Sequence, residues 1–280
     1  MVYTDHPAFE ISNWGQTVWR YISIHQFLSI LETESLWFTR SDMFEDPYEG
    51  RLPDENINEL SPIHEIKLPE YMTVNAFRGT GKKKTSDWEY TNKRSEIEAY
   101  RRISFVNCWH GKEKEMDTMW RAHLDSDNGV VIKSTAKQLR QSFSAYKETD
   151  VYLGEVEYID YRSEKIEDNN LLRPFLYKRD GFEQENEIRA IVTSLPTDKH
   201  PSYKGTVPGE QVPLHWEEQD VGFYVDIDIR ELIEEVRISP TASSWLERTL
   251  SDVCSKYDLD LAVTQSSLST DPPDSRWDSD

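Results

Sequence analysis

The 280-residue sequence predicts a single α+β domain with a mixed, mostly antiparallel sheet and flanking helices. Three observations carry this expectation. Short β-branched and aromatic runs mix with stretches of helical period, without a regular strand-helix-strand count. Hydrophobic residues make up 37% of the chain and aromatics 12%, enough to fill one sizeable core. No internal repeat and no persuasive linker divides the chain. Residues 1–17 read as a lead-in, 18–265 as the domain with an insertion around 52–95, and 266–280 as a mobile acidic tail without periodicity.

Val18–Ile22 has strand composition and leads into Ser23 and Gln26, a capping-box pair whose side chains satisfy free helix-start amides reciprocally. Ile24, Phe27, Leu28 and Leu31 recur at i, i+3, i+4 and i+7, giving one apolar stripe before the strand Leu36–Thr39. Leu52–Glu70, rich in Pro and acids, and Phe77–Tyr90, which carries Lys82-Lys83-Lys84, read as surface insertion. A helical stretch at Glu96–Arg101 precedes Ile103–Trp109, short, β-branched and aromatic like a central strand. Lys114–Asp125 reads as a helix with Met116, Met119, Trp120 and His123 on one side, and Asp127-Asn128-Gly129 as a tight turn into the strand Val130–Lys133.

Thr135–Phe143 is helical in pattern, Val151–Ile159 a strand, and Leu171–Arg179 a helix start interrupted at Pro174. Strand alternation in Glu185–Val192 places Asn186, Ile188, Ala190 and Val192 on one face and Glu185, Glu187 and Arg189 on the other. Val221–Ile229 and Glu234–Ser239 are strands. Ser244 and Glu247 form a second capping box for a helix reaching about Lys256, and Leu261–Thr264 is a last short strand.

The balance of 52 Asp and Glu against 32 Lys and Arg gives a formal charge of −20. Such charge favours solubility and opposes compaction. An acidic proteome in a halophile accounts for it, because screening at 1 M salt acts over about 3 Å; an ordinary acidic cytosolic protein accounts for it nearly as well. Non-specific nucleic-acid binding is disfavoured, since Lys82–Lys84 and Arg101-Arg102 are the only dense basic runs and both read as solvated surface. A specific nucleic-acid or protein acceptor stays open. Two distant cysteines, Cys108 and Cys254, and the lack of a secretory pattern place the chain in a reducing cytoplasm. No apolar run approaches the roughly 20 residues of a membrane span.

Asp46 precedes Pro47 and is therefore extended, its carboxylate can accept nearby amides, and Gly50 permits a left-handed backbone. That accounts for the stretch as a turn pinned by Phe44 and Tyr48, while Asp46 or Glu49 are cleft candidates near Arg20. Arg20, within an aromatic strand, has a structural alternative: a stem beneath a ring and a paired tip. Glu185, Glu187 and Arg189 have one too, as a solvated face with cross-strand ion pairs. Trp120 and His123 read as a core face with one satisfied imidazole, and are cleft candidates otherwise. Cys108, His110 and His123 lack zinc-ligand spacing, so no metal site is expected. No Gly-x-Ser-x-Gly elbow or phosphate-cradling Gly-rich loop is present.

Several stretches taken in order, Trp19–Ser23, Leu36–Gly50, Asn107–Trp109 with Thr118–Ile132, Val156–Tyr161, Glu185–Ile191 and Glu234–Pro240, resemble the domain of unknown function 2971 family over most of the chain. That resemblance implies a fold and a set of special positions, with no settled reaction. The chain departs from the family at Cys108-Trp109-His110, where Cys-Phe-Ser is frequent, and at His123, where Tyr is frequent.

A second resemblance is to ADP-ribosyltransferases: Arg20 on the first strand, Thr39 and Ser41 at the second, Glu185-x-Glu187 on a later one. The opening strand-helix-strand unit is also similar to the start of the DNA-targeting members. It implies NAD as substrate, with Glu187 stabilising the cation-like ribosyl transition state and Glu185 orienting or deprotonating the acceptor. Arg20 would clamp the phosphate or ribose region, and Thr39 or Ser41 would shape the nicotinamide pocket. The first functional expectation is thus an NAD-dependent transferase or glycohydrolase, in a toxin or antiviral defence setting. The second is a non-catalytic interaction or sensing module using a Trp-rich surface and the tail. The third is a metal-dependent nuclease using Asp46, Glu49, Glu185 and Glu187.

Overall fold

The computed structural model describes residues 9–59, 100–123, 128–167, 172–193 and 221–269. Most of the insertion, with the Lys82–Lys84 run, and the tail beyond Ser269 lie outside the described residues.

The opening unit forms as the sequence expects. Strand β1 (Thr17–Ser23) runs into α1 (Ile24–Thr33) through the capping box: Ser23 N–H donates to the Gln26 side chain at 2.9 Å, and Gln26 N–H to the Ser23 hydroxyl at 3.3 Å. Glu34, in the left-handed region at φ 44°, ends the helix and reverses the chain into β2 (Ser35–Arg40). Then follow α2 (Asp54–Glu59), β3 (Ser104–His110), α3 (Asp117–His123), β4 (Gly129–Thr135), α4 (Ala136–Ser142), β5 (Tyr152–Glu155), β6 (Glu157–Ile159), β7 (Tyr177–Arg179), β8 (Glu187–Thr193), β9 (Gly222–Asp226), α5 (Ile229–Leu232), β10 (Glu235–Ile238), α6 (Ser244–Lys256) and β11 (Ala262–Gln265).

Nine strands make one sheet in the order β11-β10-β4-β1-β3-β2-β9, with β8 and then β5 beside β3. Its pairs are antiparallel except β10 with β11. The sheet forks at β3. One edge of that strand pairs with β8 throughout; the other is shared by β2, through Thr39↔Val106 and Arg40↔Phe105, and by β1, through Trp19↔His110. Between these contacts the Asn107 amide donates to the Trp37 carbonyl, and Arg20 donates to the Cys108 carbonyl. Side chains therefore satisfy backbone that a ladder would otherwise use.

Period-two alternation assigns the faces. Val18, Ile22, Phe38, Phe105, Trp109, Ile132, Ile188, Ala190 and Val236 share one face and join the main core with Phe27 and Leu31 of α1, Leu139 of α4, and Leu246 and Leu250 of α6. Full burial of such a side chain contributes about 1.5–3 kcal/mol. The opposite face has two covers. At one end Met119 and Trp120 of α3 pack on Trp19, Tyr21 and Val131. At the other, a 3-10 turn at Arg173–Leu176 crosses the sheet where Gly154 stands opposite Arg189; a Cβ on Gly154 would lie 2.7 Å from Leu176.

Several local expectations are corrected. The run Val151–Ile159 is two strands: at Val156 the chain donates to the Glu187 carbonyl, and β6 leaves the main sheet to pair in parallel with β7. Leu172–Arg179 is a 3-10 turn followed by β7, so no helix starts there. Glu185 ends a 3-10 segment, Asp180–Glu185, and Asn186 at φ 46° breaks the alternation, leaving only Glu187 and Arg189 together on β8. The cap of α6 is Ser243, without a side-chain cap bond, so the Ser244–Glu247 box is not used. Arg101 is buried, donating from Nε to the Glu49 carbonyl at 2.9 Å, whereas Arg102 is exposed.

The first residues assigned to the tail pack against the domain. Ser266 is buried, and Ser266 and Ser267 donate to the Glu115 carboxylate, which also takes Arg237 and the Trp120 indole. The lead-in is likewise anchored from Phe9, which is in the core, with Ser12 bonded to Glu155.

Gly50 has φ +70°, and a Cβ there would meet Phe175 at 2.5 Å. Gly50→Ala is expected to cost about 2–4 kcal/mol, from the left-handed backbone plus overpacking. Urea denaturation checks this against Gly181→Ala, which meets no atom within 4 Å and should shift stability by about 0.5 kcal/mol or less.

Candidate functional site

Four segments, one of them remote in sequence from the other three, meet on the sheet face opposite the main core. Strand β8 supplies Glu187 and Arg189, which alternation places together, and the left-handed turn at Asn186 folds Glu185 back toward them. Strand β7 supplies Lys178. The turn after β2 supplies Glu49, and β6 supplies Tyr158, whose hydroxyl accepts the Glu187 N–H at 2.8 Å.

Lys178 Nζ lies 2.6 Å from Glu185 Oε2, 2.9 Å from Glu187 Oε1 and 3.5 Å from Glu49 Oε1. Arg189 donates from Nε to Glu187 Oε2 at 2.7 Å and from Nη1 to the Phe175 carbonyl at 2.8 Å, while Nη2 meets Glu49 Oε2 at 2.5 Å. Three carboxylates thus face two cations in a nearly closed space, so among the described residues the cluster carries one excess negative charge.

A proton resolves that imbalance. Burial, then the hydrogen bond with Glu187, pushes Glu185 up to about 7. Burial acts the same way on Glu187, but the Arg189 charge, the bond from Glu185 and the Lys178 charge outweigh it and hold Glu187 well below the usual carboxylate range. Lys178 stays charged: burial disfavours its ammonium, and Glu187, Glu49 and Glu185 more than offset that. Around neutral pH Glu185 therefore exchanges a proton while Glu187 stays ionised.

Glu185 is also the accessible member, its side chain 17% exposed against 5% for Glu187 and 7% for Glu49. A carboxyl at a rim that titrates near neutrality can give or take a proton, and an ionised neighbour with both oxygens engaged sets its affinity. Cys108, the cross-strand neighbour of Arg189, is no nucleophile, because burial pushes its thiol up to about 12.

The other expected site residues fall as follows. Asp46 binds the Tyr48 N–H through Oδ1 at 3.0 Å and Arg179 Nε through Oδ2 at 3.0 Å, so the Asp46–Gly50 stretch is at once a turn and the rim of the cluster. Arg20 lies on the opposite face: Trp19, not Arg20, aligns with His110 and Glu187, and Arg20 leans over Trp109 and bonds the Cys108 carbonyl. Thr39 aligns with Val106 and Ile191, four residues from Glu187 and so roughly 13 Å along the sheet. Ser41 is buried and donates to the Arg101 carbonyl at 2.8 Å. Arg20, Ser41 and Glu187 therefore do not share a concavity. Trp120 belongs to the neighbouring cluster against Tyr21; the His123 side chain lies outside the described residues.

Sequence reasoning missed Lys178, Arg179 and Tyr158, and weighed His110 only as a metal ligand. His110 is the cross-strand partner of Glu187, and its Nδ1 lies 3.0 Å from the Glu185 carbonyl oxygen. The signal for Lys178 was a charged pair, Lys178-Arg179, ending an apolar run, and the helical reading of that run hid it.

No family model, no curated protein and no solved structure matches this chain.

Removing one member of the cluster leaves buried charge uncompensated. Arg189→Met is expected to cost about 3–5 kcal/mol, and adding Glu49→Gln and Glu187→Gln to it should recover at least half, by denaturant titration. Glu185 binds its proton more tightly folded than unfolded, so the stability it contributes is complete below 4.5 and is lost as pH rises through about 7. Wild type should therefore lose stability relative to Glu185→Gln across that window.

Proposed function

We propose that the protein breaks the nicotinamide-ribose bond of NAD, as an ADP-ribosyltransferase-like enzyme or NAD glycohydrolase, with Glu185 as the proton-exchanging carboxyl. The Glu185–Glu187 pair carries this reading: two carboxyls share Lys178, and their titrations are pushed apart at the cluster's accessible edge. The substrate class comes from the ADP-ribosyltransferase resemblance, of which Glu185 and Glu187 lie in this cluster while Arg20, Thr39 and Ser41 do not. Membership of the domain of unknown function 2971 family rests on the sequence resemblance alone; three stretches that carry it supply Asp46 and Glu49, Tyr158, and Glu185, Glu187 and Arg189 to this cluster.

In this reaction the C–N bond breaks and the pyridinium leaves as neutral nicotinamide with the bonding electrons. An acceptor oxygen, from water or from a nucleic-acid or protein hydroxyl, forms the new bond to ribose and passes its proton to ionised Glu185. Glu187 acts through Glu185, as a positioning residue whose fixed charge keeps that proton exchangeable. The acidic composition suits a salt-rich cytoplasm, and a toxin or antiviral role follows from the resemblance.

One observation favours a non-catalytic interaction module instead. Trp37 and Tyr224 are exposed cross-strand neighbours on β2 and the edge strand β9, with ring centroids 5.0 Å apart. On that reading the ion cluster is purely structural. The nuclease reading finds no support, since no group of three His, Cys, Asp or Glu among the described residues is placed to hold a metal ion.

Nicotinamide release from NAD, at low and high salt and with water, lysate or nucleic acid as acceptor, tests the proposal. Release should rise with pH through about 7 and fall about 100-fold or more in Glu185→Gln. Equal activity, or equal inertness, of wild type and variant in every condition contradicts it.

A further inference from the structure

We propose that Arg179 is the anion-recognising residue of this site, holding a phosphate group of the substrate beside Glu185. This rests on the reading above, in which the substrate carries phosphates. A chain of formal charge −20 repels such a molecule, so a fixed cation must receive it. Arg20 is occupied on the other face, and Lys178 and Arg189 are buried among glutamates.

Arg179 differs from these in three ways. Its Nε is anchored 3.0 Å from Asp46 Oδ2, a carboxylate whose other oxygen is fixed by the Tyr48 N–H. Its Cζ lies 4.8 Å from the Tyr48 ring centroid and 5.4 Å from that of Phe182, so the guanidinium is oriented by aromatic contacts. Its side chain is nonetheless 41% exposed, and among the described residues Nη1 and Nη2 make no hydrogen bond. Two parallel donors held by a buried carboxylate suit bidentate phosphate binding. Lys178 Nζ lies 4.7 Å from the same Phe182 ring, so the free donors and the proton-exchanging cluster flank one side chain.

The test compares wild type, Arg179→Gln and Arg179→Lys on NAD and on nicotinamide riboside, which has the same scissile bond and no phosphate. Arg179→Gln should raise KM for NAD about 10- to 100-fold and leave nicotinamide riboside kinetics within about twofold; Arg179→Lys, which keeps charge and stem but loses the fork, should recover only part. Equal effects on both substrates, or none, overturn the proposal. Calorimetric binding of ADP-ribose needs no turnover. If wild type releases no nicotinamide yet binds ADP-ribose, and Arg179→Gln abolishes that binding, the reaction proposal falls and the anion site stands. ADP-ribose binding that is absent from wild type, or equal in the variant, removes the anion site.

Discussion

Arg189, fixed between Glu49 and Glu187, is the interaction on which the rest of the site depends. Each buried ion loses several kcal/mol of hydration, recovered only where partners and hydrogen bonds surround it. Arg189 meets that condition with two carboxylates and the Phe175 carbonyl, and Lys178 meets it with three glutamates. Because three acids face two bases, the least buried acid, Glu185, is the one pushed toward taking up a proton. A structural demand for neutrality thus produces a carboxyl that titrates near pH 7, which is what acid-base chemistry requires.

The sheet brings these groups together by burying both of its faces. The main core occupies one side with aliphatic and aromatic residues from α1, α4 and α6. On the other, the Gly154 gap lets the 173–176 turn approach β8, so that the Phe175 carbonyl reaches Arg189 and β7 delivers Lys178. The fork at β3 explains Arg20. Where β1 and β2 part, the Cys108 carbonyl has no strand partner, and the arginine tip fills that role.

The sheet and its flanking helices were legible because their signals are local. The Ser23–Gln26 box and the apolar β3 run formed as they stand in the sequence; the α1 stripe formed with Phe27 and Leu31 buried but with Ile30 in place of the exposed Leu28, and the alternation of β8 holds from Glu187 onward. The site was half legible. Glu185, Glu187, Arg189, Asp46 and Glu49 stood out as charges within ordered patterns, and they do assemble. Lys178 did not, because Pro174 in an apolar run reads as an interrupted helix while tertiary contact selects a 3-10 turn and a three-residue strand. Register could not be read either: one residue of shift decides whether Arg20 or Trp19 faces Glu187, and only long-range pairing fixes it. Burial of Ser266 was hidden for the same reason, since its partner Glu115 is remote in the chain.

The exchanging proton is observed most directly by carbon NMR of the glutamate side-chain carboxyls during a pH titration, with Glu185→Gln and Glu187→Gln used to assign the two resonances. One carboxyl, Glu185, is expected to titrate near 7 while Glu187 stays ionised far into acid. If both instead titrate together near the ordinary glutamate value of about 4.3, the cluster does not hold a proton at neutral pH, and neither its electrostatics nor the chemistry built on it stands.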